Sequence, residues 1–235
     1  MQYQSPRLVV TTHYNLTVRF QDISAHLLKP DSPSVEKTFP NLLPDLTIDV
    51  TDVLVDPRVS AQIPNLILHQ ARIDSVHLSR ESFECAIVLQ TGHAVIYRLC
   101  SELRENIPQK ELSDKELINL EHVPFRGGRR YSPFLMIDAG KGCMTAFASS
   151  DIGAILCSHI IPRPDLTSGF LAAAYGNGFL FIVDLRGPRI LLRRGQDTKP
   201  NSKETRGLHL RNHSGHLDPI GSLTWTISAI GTGRQ

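Results

Sequence analysis

Apolar and polar positions along this chain fall into short runs separated by turn residues, a pattern that predicts antiparallel strands rather than long helices. The clearest stretch is Gly169 to Leu192, GFLAAAYGNGFLFIVDLRGPRILL. Two β-rich runs, Phe170 to Tyr175 and Phe179 to Asp184, flank an Asn177–Gly178 step that tolerates the positive φ of a tight turn. A third strand, Arg189 to Leu192, follows the Gly187–Pro188 break. Upstream, Ala71 to Leu99 predicts strands at Ile73 to Leu78, Glu84 to Gln90 and Ala94 to Leu99, the last two joined at Thr91–Gly92. Phe134 to Asp138 reads as a strand leading through the Gly140–Gly142 turn into CMTAFASS, and Ser222 to Ile230 as a final strand holding the single tryptophan, Trp225.

Between these runs the pattern changes. Leu28 to Pro64 carries Pro30, Pro33, Pro40, Pro44 and Pro57, and its apolar part predicts a short helix that starts near Asp49 or Thr51 and stops at Pro57. Ser101 to Ser132 is polar, and Ser113 with Glu116 forms a capping-box signature for a short helix through Leu120. Gly195 to His216 has loop composition.

The strand–turn–strand unit, taken with SSDIG at Ser149 to Gly153, resembles blades of the lethal giant larvae, tomosyn and yeast exocytosis-regulator family, and the chain is similar to a fungal-type member in part. The residues carrying the resemblance are Ser150, Asp151, Ile152, Gly153, Tyr175, Gly178, Val183, Asp184, Arg186, Gly187 and Pro188. Ala71, Arg72, Ile73, Ser75, Val76, Gly92, Tyr97 and Arg98 extend it, as do Pro133, Leu135, Asp138, Gly142 and Thr145. Near the N-terminus, His13, Asn15, Thr17, Val18, Arg19, Phe20 and Asp22 match the end of a WD-type blade. Leu16 stands there in place of the turn glycine, and Gln21 in place of the tryptophan. A leucine held at positive φ costs about 1 kcal/mol, so that turn is expected to rearrange or loosen.

The resemblance implies an all-β fold, an incomplete β-propeller of WD-like blades with loop and short-helix connectors. At about 40 to 45 residues per blade, roughly three blades and part of a fourth can be placed, and the chain is expected to be a section of a longer protein. The expected organisation is propeller blades with a Pro-rich connector over 1–100, a polar linker over 101–132, and further blades over 133–235. In the family pattern Gly153 runs straight into Phe170, whereas here Ala154 to Gly169 intervene. Loop closure accounts for only about 2 to 3 kcal/mol, but AILCSHII is an apolar run at a place expected to be a solvated turn. The segment reads either as an atypical binding loop or, as the favoured alternative, as sequence retained through a processing or gene-structure error.

Charge narrows the function. Twenty-five Lys and Arg against 23 Asp and Glu leave a formal charge of +2, too balanced for a nucleic-acid protein. No segment reaches the roughly 18 apolar residues of a membrane span, and no secretory leader is legible, so the chain reads as cytosolic. Cys85, Cys100, Cys143 and Cys157 lie far apart with no metal-like pairing and read as free thiols. Gly140–Lys141–Gly142 lacks the spacing of a phosphate loop, and His213 with His216 lacks a third ligand. No nucleophile signature is present, so neither an enzyme nor a cofactor is expected.

The basic clusters are Arg126, Arg129 and Arg130, and then Arg193, Arg194, Lys199 and Lys203, with Arg206 and Arg211 beyond. Solvated loops are their ordinary reading. The alternative is a contact surface for acidic helices or anionic lipid. What the resemblance implies is a non-catalytic scaffold of polarized exocytosis and cell polarity, cytoplasmic and peripheral at the plasma membrane or cell cortex. Its implied partners are SNARE proteins of the syntaxin and Qbc classes, a Rab GTPase and type II myosin. A generic WD-repeat adaptor, such as a ubiquitin-ligase substrate receptor, is the alternative function.

Overall fold

The computed structural model describes residues 7–24, 39–62, 71–78, 84–99, 111–124, 130–138, 144–150, 170–176, 179–185 and 187–194. The predicted strand at Ser222 to Ile230, the 154–169 segment and the loop from Gly195 lie outside them. Within them the chain is all-β with two short helices, and it divides into two units, one containing residues 1–78 and 83–143 and the other containing 144–235.

The first unit begins with strands β1 (Leu8–Thr12) and β2 (Thr17–Asp22), an antiparallel pair in which Val10 lies opposite Phe20. Two short strands, β3 (Asn41–Leu42) and β4 (Ile48–Asp49), pair with opposite ends of β2. Helices α1 (Thr51–Leu54) and α2 (Pro57–Gln62) follow. Asp49 Oδ1 accepts the Thr51 N–H at 3.1 Å, and Asp56 Oδ1 accepts the Arg58 N–H at 2.9 Å. These bonds satisfy amides that a helix start leaves open, so the helix begins where predicted, and a second turn of helix resumes at Pro57, the N1 position that proline favours.

A five-stranded sheet completes the unit. Its order is β5 (Ile73–Leu78), β6 (Cys85–Leu89), β7 (Ala94–Leu99), β9 (Tyr131–Ile137) and β8 (Leu117–Asn119). β6 and β9 are buried at every position, and β7 at all but its last, which explains their near-continuous apolar sequence. One face, with Ile87, Leu89, Val95, Tyr97 and Met136, shares a core with Val18, Phe20, Ile48, Val53 and Val59 of the N-terminal elements. Phe20 stacks on Tyr131 at 5.5 Å.

The helix expected from Ser113 through Leu120 is not formed; Leu117, Ile118 and Asn119 are instead strand β8, paired with β9. The local capping signature is weaker than the burial gained when Leu117 and Ile118 join the sheet. Part of the 101–132 segment is thereby built into a sheet.

The second unit is a four-stranded antiparallel meander of β10 (Met144–Ser150), β11 (Phe170–Tyr175), β12 (Leu180–Asp184) and β13 (Arg189–Arg194). These strands match the hairpin and third strand expected of Gly169 to Leu192. β10 closes against β11 as far as the pair Ser150 with Phe170. Leu171, Ala173 and Tyr175 are fully buried, and Tyr175 meets Phe181 edge to face at 5.7 Å.

Three hairpins share one closure. The His13 N–H donates to the Thr17 carbonyl at 2.9 Å, the Leu89 N–H to the His93 carbonyl at 2.9 Å, and the Tyr175 N–H to the Phe179 carbonyl at 2.9 Å. Each encloses a loop of three residues. In the first two the third loop residue has positive φ: Leu16 at 62° and Gly92 at 89°. Its own N–H donates back to the residue before the loop, Leu16 to His13 and Gly92 to Leu89. This is the three-residue hairpin with a left-handed final position.

The turn at Leu16 is therefore retained, neither rearranged nor loosened. Leu16 is only 3% exposed and belongs to the core, its carbonyl accepts the Val50 N–H at 3.0 Å, and Asn15 Oδ1 accepts the Thr17 hydroxyl at 2.7 Å. Burial of the leucine side chain outweighs the backbone strain. Leu16→Gly is expected to lower stability by about 2 kcal/mol, since the buried side chain contributes about 3 and relief of the left-handed strain returns about 1. Urea denaturation measures it, and a more stable glycine variant would show that strain dominates.

Candidate interaction surface

The basic residues divide between the two units. Arg130, in the first, is exposed and its N–H donates to the Asp45 carbonyl at 2.7 Å, so the segment entering β9 is tied to the turn Pro44–Leu46. Arg193, in the second, lies on β13 opposite Phe181; it is half-buried, with its Nε out of solvent. Arg194 follows it opposite Leu180. Arg126, Arg129, Lys199 and Lys203 lie outside the described residues. Arg130 is thus a solvent-facing cation, whereas Arg193 serves the sheet as well as its surface. Arg189, at the start of β13, is largely exposed, and its guanidinium lies 3.9 Å from the buried Asp184 carboxylate.

Sequence reasoning missed the most enclosed charge pair among the described residues. Arg98, on β7, donates from Nε to Glu84 Oε1 at 3.0 Å, and both residues are buried, at 8% and 2% exposure. The guanidinium also lies over the Phe134 ring, 3.3 Å from its centroid, adding a cation–π contact from β9. The signal was in the sequence: a hairpin closing across Leu89 and His93 aligns Cys85 with Tyr97, and one step further aligns Glu84 with Arg98. Cys85, next to Glu84, is a buried free thiol whose pKa burial pushes up to about 12, which makes it a packing residue and a poor nucleophile.

One cleft in the first unit is lined by Thr47, Asp49, Asp52, Val53, Tyr97, Tyr131 and Pro133. It measures about 240 Å³ including the space open to solvent. Among the described residues, no three His, Cys, Asp or Glu side chains gather as a metal set. No helix among them is long and apolar enough to cross a membrane. What the described surface offers is strand edges, hairpin tips and scattered cations.

The strands β11, β12 and β13 lie in the stretch where comparison with known proteins is informative. Residues 166–232 match the family model described as lethal giant larvae (Lgl) like, C-terminal. That stretch is Lgl-like. The match covers well under half of the chain, and its described part is the three-stranded portion of the second sheet together with Arg193 and Arg194. No curated protein matches the chain. The Lgl-like stretch contains Asp184, Gly187 and Pro188, three of the residues that carry the resemblance in the sequence, and they sit at the β12–β13 turn. An added Cβ at Gly187 would meet nothing within 4 Å, so packing does not demand a glycine there.

Outside the Lgl-like stretch, Glu84 and Arg98 make a clear stability prediction. Glu84→Ala takes the carboxylate from a buried guanidinium and is expected to cost about 3 kcal/mol, whereas replacing both partners, Glu84→Met with Arg98→Leu, restores most of it. Thermal and urea unfolding of the three proteins decides this. A single variant as stable as the parent would contradict a paired, enclosed charge.

Proposed function

We propose that this chain acts as a non-catalytic scaffold of the lethal giant larvae kind in polarized exocytosis and cell polarity. In this reading its antiparallel sheets are WD-like propeller blades, and it works at the cytoplasmic side of the plasma membrane. Its partners are plasma-membrane SNAREs of the syntaxin and Qbc classes, with a Rab GTPase and type II myosin as further ones. The observation that carries the reading is the Lgl-like match over 166–232, whose described part is an antiparallel meander of the kind from which a propeller blade is built.

Such a scaffold acts by holding surfaces rather than by chemistry. Rigid strands carry loops and turns, and the loops set which partner docks. The basic residues are the proposed contact groups, with Arg130, Arg194, Arg126, Arg129, Lys199 and Lys203 serving partner contact and Arg193 contributing from its half-buried position. Cations of this kind at an interface rim accelerate association with an acidic partner and make binding salt-sensitive.

Binding of the purified chain to immobilised cytoplasmic domains of a syntaxin-class and a Qbc-class SNARE tests the reading. Retention that weakens as salt rises from 50 to 300 mM is expected, with Arg130→Glu and Arg194→Glu together lowering affinity several-fold. Absence of retention by the folded chain would overturn SNARE binding. Retention unchanged by the double reversal would remove the basic contact surface and leave the scaffold reading in place.

A further inference from the structure

The tip of the hairpin joining β6 and β7 is fastened at one side chain. His93 follows Gly92 and ends the loop; its carbonyl accepts the Leu89 N–H at 2.9 Å. Its ring has a partner at each nitrogen. Nδ1 is 2.8 Å from the Thr91 hydroxyl within the loop, and Nε2 is 3.3 Å from Asp138 Oδ1 just beyond β9. Asp138 is itself anchored, its N–H donating to the Glu116 carbonyl at 2.8 Å ahead of β8. One imidazole thus bridges a hairpin tip and the β8–β9 end of the same sheet.

We propose that Thr91, His93 and Asp138 form a pH-sensitive latch that holds the β6–β7 tip against the end of β9 and loosens it on acidification.

In a neutral ring with its proton at Nε2, Nδ1 accepts the Thr91 hydroxyl hydrogen while Nε2 faces the Asp138 carboxylate 3.3 Å away. A second proton, arriving at Nδ1, turns that acceptor into a donor, so the Thr91 hydroxyl has to rotate and present its oxygen. The same proton places a cation on a side chain that is only 12% exposed. Asp138 is the charge that acts on the ring among the described residues, and it favours that cation, but at 39% exposure it is partly screened by water. Thr91, the loop's contribution, is uncharged. Burial is the larger effect, and His93 is held below its ordinary 6.5.

The sign follows from proton linkage. A histidine whose folded pKa lies below its unfolded value binds protons more readily once the tip is open. The latch therefore has its full strength above pH 6.5 and loses it as pH falls from 6.5 towards the folded pKa.

The test uses the whole chain and needs no ligand. Ring resonances of His93 are followed by NMR from pH 8 to 5, together with the hydrogen-exchange protection of the Leu89, Gly92 and Asp138 amides, each corrected for intrinsic exchange. The expected midpoint lies below 6.5, protection at the three amides falls several-fold over the same interval, and His93→Gln abolishes that pH dependence. Asp138→Asn is expected to lower the midpoint further, because it removes the carboxylate that favours the cation. A midpoint at or above 6.5 overturns the latch, and so does an undiminished pH dependence of protection in His93→Gln. If either variant does not fold, the titration and exchange of the parent chain alone still decide, through the position of the midpoint and whether protection follows it.

Discussion

Backbone closure across three short hairpins is the constraint on which the rest of this structure depends. Each is closed by a hydrogen bond across a three-residue loop, from His13 to Thr17, Leu89 to His93 and Tyr175 to Phe179. Side chains alternate faces along a strand, so moving any of these closures by one residue would turn a whole strand inside out. The closures as formed send Val18 and Phe20 into one core and Leu171, Ala173 and Tyr175 into another. They also set Glu84 opposite Arg98 and bring His93 to a hairpin tip within reach of Asp138.

The local cost of such closures is borne in different ways. At Gly92 the left-handed position is occupied by the residue that adopts it with least strain. At Leu16 it is occupied by a side chain that is far less suited to it, and the strain persists because that side chain fills a core shared by β2, α1 and the five-stranded sheet. A turn judged only by its dihedral preferences would be expected to give way there. Packing decides otherwise, and the Val50 amide bonded to the Leu16 carbonyl joins the turn to the start of α1.

This contrast marks what the sequence made legible. Runs such as FLAAAY, FIVD and AIVL, bounded by Gly, Asn and Pro, identified strands to within a residue or two, because alternation and turn chemistry are local signals. The short helix near Thr51 was legible for the same reason, through Asp49 and Pro57. The β8 strand was not: Ser113 and Glu116 spell a helix start, and only pairing with β9, distant in sequence, makes Leu117 to Asn119 extended. The candidate surface was legible as composition and not as geometry. Runs of arginine say that cations are present, but only the strand register shows that Arg193 is half-buried opposite Phe181 while Arg130 faces solvent. Glu84 was passed over because a single acid at the first position of an apolar strand looks like an exposed end until the hairpin is aligned. The Lgl-like match over 166–232 takes in β11, β12 and β13, the part of the second sheet where the strand pattern carries the same resemblance.

The most direct measurement of the central claim is cross-strand proximity in solution, observed as nuclear Overhauser effects in the isotope-labelled chain. Hairpins closed as described place Ala86 opposite Ile96, Val10 opposite Phe20 and Ala172 opposite Ile182, and contacts between those partners are predicted. Contacts displaced by one residue in any of the three, such as Ala86 with Val95 in place of Ile96, would contradict the register and with it the placement of every buried and surface group argued from it.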